Sequence, residues 1–279
     1  MSKHLATITL IGHDKAGVIA RVTQLLFQSG ANVEALEEEV TRGFFSMTLQ
    51  ASWTTKRFSR AAIEKGIGAI AQELKMETKF HFTPVGPQRL AILVTKESHV
   101  LEGLLAKSVK ELGAKPVIVI GNHPDLEPLA RKKKLPFFHV PFIDRVQAEK
   151  EVLRLLADHE VNFIVLARFM KILSPNFVWR WKNKIINIHP SLLPSFPGAN
   201  AYRQAYERGV KVVGVTAHFA TPNLDEGPII AQESMRVRAH EPLASIVKRG
   251  QVLETKCMLR AVDAYVKKHL DVHWGRVYS

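Results

Sequence analysis

Residues 186–194 read INIHPSLLP, and residues 224–228, farther along the chain, read LDEGP. The first stretch begins as a strand, so the side chains of Asn187 and His189 point to the same face of a sheet. Pro190 cannot continue a central strand and turns the chain outward. Asp225 lies in a loop rich in Gly and Pro that follows another predicted strand. An amide, an imidazole and a carboxylate held at one rim can bind a developing oxyanion and move a proton.

The sequence around these residues predicts the sheet that carries them. Short apolar runs alternate with stretches of helical periodicity, as expected for strands that are buried on both faces. The predicted strands are 89–95, 116–120, 137–140, 163–167, 184–188, 211–220 and 228–232, and the predicted helices are 100–111, 125–133, 146–159 and 243–270. This order predicts an α/β domain with a doubly wound, mainly parallel sheet, which binds ligands beyond the C-terminal ends of its strands.

Residues 1–83 predict a smaller α+β domain with a ferredoxin-like βαββαβ order. Its strands are predicted at 5–11, 32–40, 44–53 and 76–82; one helix begins at Val18 and stops at Gly30, and Ser59 caps the other. Residues 84–88 contain Pro and Gly between two complete patterns and are the predicted linker. The second domain is then 89–279.

The composition excludes several classes of protein. The 279 residues are 46% hydrophobic and suit two domains with ample cores. No apolar run approaches the ~18 residues of a membrane span, and the start of the chain lacks a signal-peptide pattern, so a cytoplasmic protein is expected. The only cysteine, Cys257, lies in a helical pattern and is expected to pack in a core.

The net charge of +13 is unevenly distributed. Residues 1–83 hold ten basic and eight acidic residues, whereas the rest holds 29 basic and 18 acidic residues. A basic second domain suits a phosphate or polycarboxylate ligand, although it also serves solubility. Basic and aromatic residues do not alternate as on a nucleic-acid platform, so no nucleic-acid partner is expected. No metal-site spacing and no phosphate-binding glycine loop occurs, so neither a metal nor a nucleotide cofactor is expected.

Residues 12–20, GHDKAGVIA, and residues 30–33, GANV, resemble an ACT domain. Such domains bind small amino acids where two copies pair and regulate an attached enzyme. The resemblance implies a homo-oligomer and an effector site that includes Asp14, Gly17, Val18 and Asn32. The alternative is that Gly17 only permits a tight turn and that Asn32 only begins a strand.

Residues 166–233 resemble the formyltransferase family that acts on 10-formyltetrahydrofolate. The resemblance rests on LARFMKILS at 166–174, on the INIHPSLLP stretch, on FPGA at 196–199 and on the LDEGP loop. It implies that Asn187, His189 and Asp225 are catalytic. It also implies that two segments border the pterin pocket. One contains Met170, Ile172 and Leu173, and the other contains Pro222, Asn223 and Leu224.

The formyl acceptor is a separate question. Glycinamide ribonucleotide transferases of this family have a Gly-rich phosphate loop where this chain reads TKESH at 95–99. That turn has no glycine, and Glu97 would repel a phosphate. The leading ACT-like segment, the TKE turn, GNH at 121–123 and AYERGV at 205–210 resemble the formyltetrahydrofolate deformylases, in which water is the acceptor.

The resemblance implies hydrolysis of 10-formyltetrahydrofolate to formate and tetrahydrofolate, which supplies formate and balances folate pools for purine synthesis. Asp225 would deprotonate water, and His189 and Asn187 would stabilise the oxyanion. The folate is a substrate, and no cofactor is implied.

Two residues depart from the deformylase pattern. Pro190 stands where deformylases often have a second histidine, and Gln251 stands where they tend to carry Arg. These departures leave two alternatives open. One is a transferase with an unidentified amine acceptor, and the other is an amino-acid-responsive binding protein whose catalytic domain is dormant.

Overall fold

The structure is a computed structural model that describes residues 3–41, 43–54, 58–82, 87–267, 270–273 and 275–278. The chain divides into two compact units, 1–85 and 86–279. Residues 84–86 of the predicted linker lie outside the described residues, and its last residue, Gln88, is the first residue of a strand.

The first unit has the predicted βαββαβ order. Its elements are β1 (Lys3–His13), α1 (Val18–Gln28), β2 (Asn32–Thr41), β3 (Phe44–Thr54), α2 (Arg60–Leu74) and β4 (Glu77–Phe82). The four strands form an antiparallel sheet in the order β2-β3-β1-β4. Side chains at alternate positions of β1, such as Ile8 and Leu10, pack with Val22 and Leu26 of α1 in one core. Ser59 caps α2 as predicted, because its side chain accepts a hydrogen bond from the backbone N–H of Ala62.

The second unit is built from alternating strands and helices. Its strands are β5 (Gln88–Val94), β6 (Ala114–Gly121), β7 (Phe137–His139), β8 (Phe163–Ala167), β9 (Ile185–His189), β10 (Val212–Phe219), β11 (Ile229–Arg236), β12 (Asp271–His273) and β13 (Arg276–Tyr278). Its helices are α3 (His99–Ala106), α4 (Val109–Leu112), α5 (Glu127–Lys132), α6 (Arg145–Asp158), α7 (Pro175–Arg180), α8 (Ala201–Glu207) and α9 (Leu243–Lys267).

Seven strands of this unit form one sheet in the order β11-β10-β9-β8-β5-β6-β7. The five strands from β9 to β7 run parallel, whereas β10 and β11 are antiparallel additions. Strand β9 therefore has a parallel neighbour on one side and an antiparallel neighbour on the other. The predicted architecture, a βαββαβ domain followed by an α/β domain with a mainly parallel sheet, is confirmed.

Helices cover both faces of this sheet. Leu90, Ile92 and Val94 of β5 pack in a core with Met258 of α9, while the intervening Ala91 and Leu93 pack in a second core with α6. This alternation explains why the strands read as continuous apolar runs rather than as an in–out pattern. Cys257 is buried in the first of these cores, as expected.

The structure corrects several element bounds. The predicted helix at 100–111 is two helices, because Ser108 and Glu111 form a capping box that starts α4. The prediction missed the short helices α7 and α8. The predicted closing helix at 243–270 corresponds to α9, but the β12–β13 hairpin follows it. No helix in the described ranges has the length and apolar character needed to cross a membrane.

Candidate active site

The strand β9 carries two of the predicted catalytic residues in its second half. Asn187 and His189 are two positions apart, and Asn187 lies beside Leu166 of the parallel strand β8. On the antiparallel side, His218 of β10 is directly opposite Asn187. Residues that face each other across an antiparallel pair share one side of the sheet. His218 therefore joins Asn187 and His189, although it was not among the predicted site residues.

Asp225 reaches this cluster from the loop that joins β10 to β11. Its Oδ2 atom lies 3.2 Å from Nδ1 of His189 and accepts a hydrogen bond of 2.8 Å from the backbone N–H of Gly198. Both side chains of the His189–Asp225 pair are almost completely buried. The predicted catalytic trio is therefore brought together in space.

The loop must fold back along the sheet to place Asp225 there, because β10 ends at Phe219, opposite Ile186 near the start of β9. Gly227 allows this return. A Cβ atom at that position would lie 1.7 Å from the carbonyl oxygen of Phe219, so no other residue fits. Asp225 itself adopts a left-handed backbone conformation with φ of 57°. Asp tolerates that region better than most residues do.

The second ring nitrogen of His189 is also engaged. Its Nε2 lies 2.9 Å from the carbonyl oxygen of Phe196, which can only accept, so Nε2 carries a proton. Nδ1 faces the carboxylate of Asp225. Both ring nitrogens therefore face oxygen atoms, and a protonated His189 would form an ion pair with Asp225.

His218 is held in the opposite state. Its Nδ1 donates to the carbonyl oxygen of Phe219 over 2.9 Å, which leaves Nε2 as the acceptor for the Asn187 amide at 3.2 Å. Burial lowers the pKa of His218 from its ordinary value. The neutral ring thus fixes the orientation of Asn187 and leaves the second N–H of its amide for a ligand. No local sequence pattern indicates this contact, because it depends on the pairing register of β9 and β10.

The cluster opens into a cavity of about 620 Å³, within the usual size range of small-ligand sites. The predicted folate-binding residues all line it, namely Met170, Ile172, Leu173, Pro222, Asn223 and Leu224. Met170 and Ile172 are 56% and 60% exposed, so they present apolar surface to a ligand. A more open hollow nearby shares Asp225 but includes neither Asn187 nor His189.

The segment that carries Met170 and Ile172 is fixed at both ends. Thr95 Oγ1 accepts a hydrogen bond of 2.9 Å from the backbone N–H of Met170 and donates one of 2.7 Å to Asn122. At the other end, the buried Glu149 accepts a hydrogen bond of 2.6 Å from the backbone N–H of Ser174. Thr95 of the TKE motif and Asn122 of the GNH motif therefore have a structural role, because they position the backbone of Met170.

The predicted effector residues do not converge within one copy of the first unit. Asp14 and Gly17 follow the C-terminal end of β1, where His13 pairs with Phe44. Asn32 pairs with Ser52, which also pairs with Leu5 near the other end of β1. Eight residues of strand separate these ends by roughly 26 Å.

Val18, also a predicted effector residue, is buried in the core and is not available to a ligand. Asp14, Gly17 and Asn32 are exposed. A site that uses both ends therefore requires a second copy of the chain, and it stays a prediction.

Among the described residues, no group of three or more His, Cys, Asp or Glu side chains is arranged to hold a metal ion. The cluster around Asp225 combines one carboxylate with two imidazoles whose nitrogens are already hydrogen-bonded or ion-paired within the protein. It is suited to proton transfer and oxyanion binding.

Known proteins share this architecture. Residues 88–262 match the formyl transferase family, and residues 4–81 match an ACT domain family. A formyltetrahydrofolate deformylase from Synechocystis sp. is 34% identical over 99% of this chain and 98% of its own length. The crystal structure of a formyltetrahydrofolate deformylase from Pseudomonas syringae superposes with a TM-score of 0.67 at 31% identity and covers 98% of this chain and 93% of its own. The structure of glycinamide ribonucleotide transformylase 1 from Symbiobacterium toebii has a TM-score of 0.66 at 30% identity but covers only 71% of this chain, against 95% of its own.

The chain therefore belongs to the formyl transferase family, and an ACT domain precedes its formyl transferase domain. Of the relatives named above, those that match nearly all of this chain are formyltetrahydrofolate deformylases. Both resemblances seen in the sequence are confirmed.

Proposed function

We propose that this protein hydrolyses 10-formyltetrahydrofolate to formate and tetrahydrofolate. The observation that carries the proposal is the buried His189–Asp225 pair beside Asn187, at the end of a cavity with an apolar rim. The full-length similarity to formyltetrahydrofolate deformylases supports the same reaction. The amino-acid effector, the oligomer and a cytoplasmic location remain parts of the proposal.

The reaction begins when water attacks the formyl carbon. No described residue donates a hydrogen bond to Oδ1 of Asp225, whereas Oδ2 faces both Gly198 and His189. Oδ1 is therefore the oxygen that takes a proton from the water as its oxygen bonds to carbon. The carbonyl oxygen becomes an oxyanion, which the available N–H of Asn187 stabilises together with the positive charge of His189.

Collapse of this intermediate breaks the bond between the formyl carbon and N10. The proton held by Asp225 passes to N10, so tetrahydrofolate leaves as a neutral amine. Formic acid loses its remaining proton to solvent and leaves as formate. In the conformation described here, both N–H groups of His189 are engaged by protein oxygens. Direct donation from His189 to the oxyanion would first require the Phe196 carbonyl to move.

The purified protein should release formate from 10-formyltetrahydrofolate without any amine. Asp225→Asn should lower turnover by roughly 10²–10⁴, the usual contribution of a general base. Asn retains the tolerance for positive φ and an oxygen for the N–H of Gly198, so the fold should survive. Asp125→Asn, on an exposed loop, is the matched control and should behave like the wild type. Equal rates for Asp225→Asn and the control would refute the proposed role of Asp225.

The second candidate is formyl transfer to an amine, which Pro190 favours as the transferase-like residue. The same assay separates the two reactions. Formate release that depends on an added amine, or a formylated amine as the main product, would favour the transferase. Tight folate binding without any turnover would instead favour a dormant binding protein.

A further inference from the structure

A buried charge network forms a second wall of the cavity, apart from the catalytic cluster. Arg168, which directly follows β8, supplies its guanidinium. Its Nη2 lies 2.9 Å from Oε1 of Glu97, and its Nε lies 3.5 Å from Oε2 of Glu254 on α9. Arg168 is thus held between two carboxylates that come from different parts of the chain.

The inner carboxylate, Glu254, has several further partners. Tyr202 donates to its Oε1 over 3.0 Å, and Nε2 of His99 lies 3.0 Å from its Oε2. Only 1% of the Glu254 side chain is exposed. Gln251, one turn earlier on α9, donates instead to Glu97 over 3.4 Å. The departure from the deformylase pattern at residue 251 therefore lies in this network.

Glu97, Arg168 and Tyr202 line the same cavity as Asn187 and Asp225. Glu97 is 40% exposed, so its carboxylate is the part of the network that solvent and ligands reach. Burial alone would lower the pKa of Arg168, but Glu254 and Glu97 outweigh that effect, and its pKa is raised overall. Burial would raise the pKa of Glu97, but its contact with Arg168 outweighs this effect and keeps it low. Both groups stay charged near neutral pH.

An anionic group in a cavity is normally bound by an arginine or lysine whose positive charge is not already neutralised. Here one hydrogen bond joins Arg168 to Glu97, and its Nε lies 3.5 Å from Glu254 without forming a hydrogen bond. The two carboxylates together neutralise the charge of the guanidinium. Two carboxylates and one guanidinium leave one negative charge in excess when His99 is neutral, and none when it is protonated. In neither state does this wall offer positive charge to an incoming phosphate or carboxylate.

We propose that the Glu97–Arg168–Glu254 network sets the acceptor specificity of the site by excluding anionic acceptors such as phosphorylated amines. Water, which is small and neutral, is the acceptor that this wall admits. The inference rests on the proposed deformylase function, since it explains why that reaction ends in hydrolysis. It assigns Glu97 and Gln251 a role in specificity that is separate from proton transfer at Asp225.

Two variants test this role by making the wall more positive. Glu97→Gln removes the exposed carboxylate and releases part of the Arg168 fork, and Gln251→Lys adds a cation beside Glu97. Each should lower the inhibition constant of inorganic phosphate roughly tenfold, as expected for one new charge-assisted contact. Inhibition is measured on formate release at constant ionic strength and compared with the uninhibited rate of the same variant.

O-phosphoethanolamine extends the test to a phosphorylated amine, and ethanolamine serves as its counterpart without phosphate. O-phosphoethanolamine should inhibit both variants more strongly than the wild type, and ethanolamine should not. Glu102→Gln removes an exposed carboxylate from α3 and is the matched control, with wild-type inhibition expected.

Phosphate binding is also measured by calorimetry, which does not depend on turnover. If the wild type releases no formate, the proposed function fails, but the calorimetric comparison still tests the network. The proposal is overturned if phosphate binds the wild type as tightly as either variant. It is also overturned if both folded variants, verified by circular dichroism, remain insensitive to phosphate.

Discussion

At the scale of single residues, the imidazole of His189 is held between two oxygens. Asp225 lies 3.2 Å from one ring nitrogen, and the Phe196 carbonyl lies 2.9 Å from the other. On the neighbouring strand, His218 lies opposite Asn187, and the neutral His218 ring orients the Asn187 amide. The two histidines on this face thus have different hydrogen-bonding surroundings, because His189 has acceptors on both sides and His218 has a donor on one side.

Replacing His189 with Ala should lower formate release by roughly 10²–10³, comparable to the loss of one oxyanion-stabilising group. The variant removes the positive charge beside the intermediate and leaves Asp225 without its ion-pair partner. Steady-state kinetics with 10-formyltetrahydrofolate measure the effect. His139→Ala, which replaces an exposed histidine on the edge strand β7, controls for the loss of a histidine. Near-normal turnover of His189→Ala would contradict the mechanism.

The buried His218 should make stability depend on pH. Because its pKa is lowered in the folded protein, the unfolded chain binds the proton first, at about 6.5. The contribution of His218 to the free energy of unfolding is therefore constant above that pH. Below it, the free energy of unfolding falls by at most about 1.4 kcal/mol per pH unit. His218→Gln should lose less stability than the wild type between pH 7 and pH 5.5, as measured by urea unfolding. Parallel losses in the two proteins would contradict this assignment.

The sequence predicted part of this cluster. The two-residue period of a strand was enough to place Asn187 and His189 on one face. The approach of Asp225 could not be derived from periodicity, because β10 ends beside the start of β9 and the loop must fold back. The resemblance to the formyltransferase family predicted instead that Asp225 belongs to the catalytic trio. His218 was missed because the register between two strands is a tertiary property, and no local pattern encodes it.

At the scale of elements, the parallel strands β5, β6 and β8 cooperate to hold one segment of the pocket. The turn after β5 supplies Thr95, the end of β6 leads into Asn122, and the segment itself follows β8. Apolar strand runs predicted these elements well. The break between α3 and α4 was missed, although Ser108 and Glu111 have the spacing of a capping box.

Thr95→Val should raise the KM for the folate roughly three- to tenfold and change kcat less. Valine has a similar shape but cannot accept the hydrogen bond from the backbone N–H of Met170. The segment therefore loses one hydrogen bond, which contributes about 1 kcal/mol to holding it in place. Thr95→Ser keeps the hydroxyl and should restore the KM, which a general loss of packing would not do. A fall in kcat at unchanged KM would instead place Thr95 at the chemical step.

At the scale of the whole molecule, two units with separate cores carry the proposed regulatory and catalytic functions. The sequence predicted both folds, because each has a distinct order of strands and helices. It did not predict how the effector residues are distributed. Gly17 and Asn32 belong to opposite ends of one four-stranded sheet. A small amino acid cannot contact both residues within a single copy.

The separation of these residues leads to a prediction about assembly. If an amino acid binds between Gly17 of one copy and Asn32 of another, it stabilises the associated state by mass action. Sedimentation velocity with a panel of amino acids should show that at least one shifts the protein toward a larger species. Gly17→Val should abolish the shift, because φ at this position is 86° and a β-branched residue is strongly disfavoured there. Glu64→Gln, on α2, should leave the shift intact. An amino acid that binds equally well at concentrations where the protein is monomeric would contradict a shared site, since one copy would then suffice.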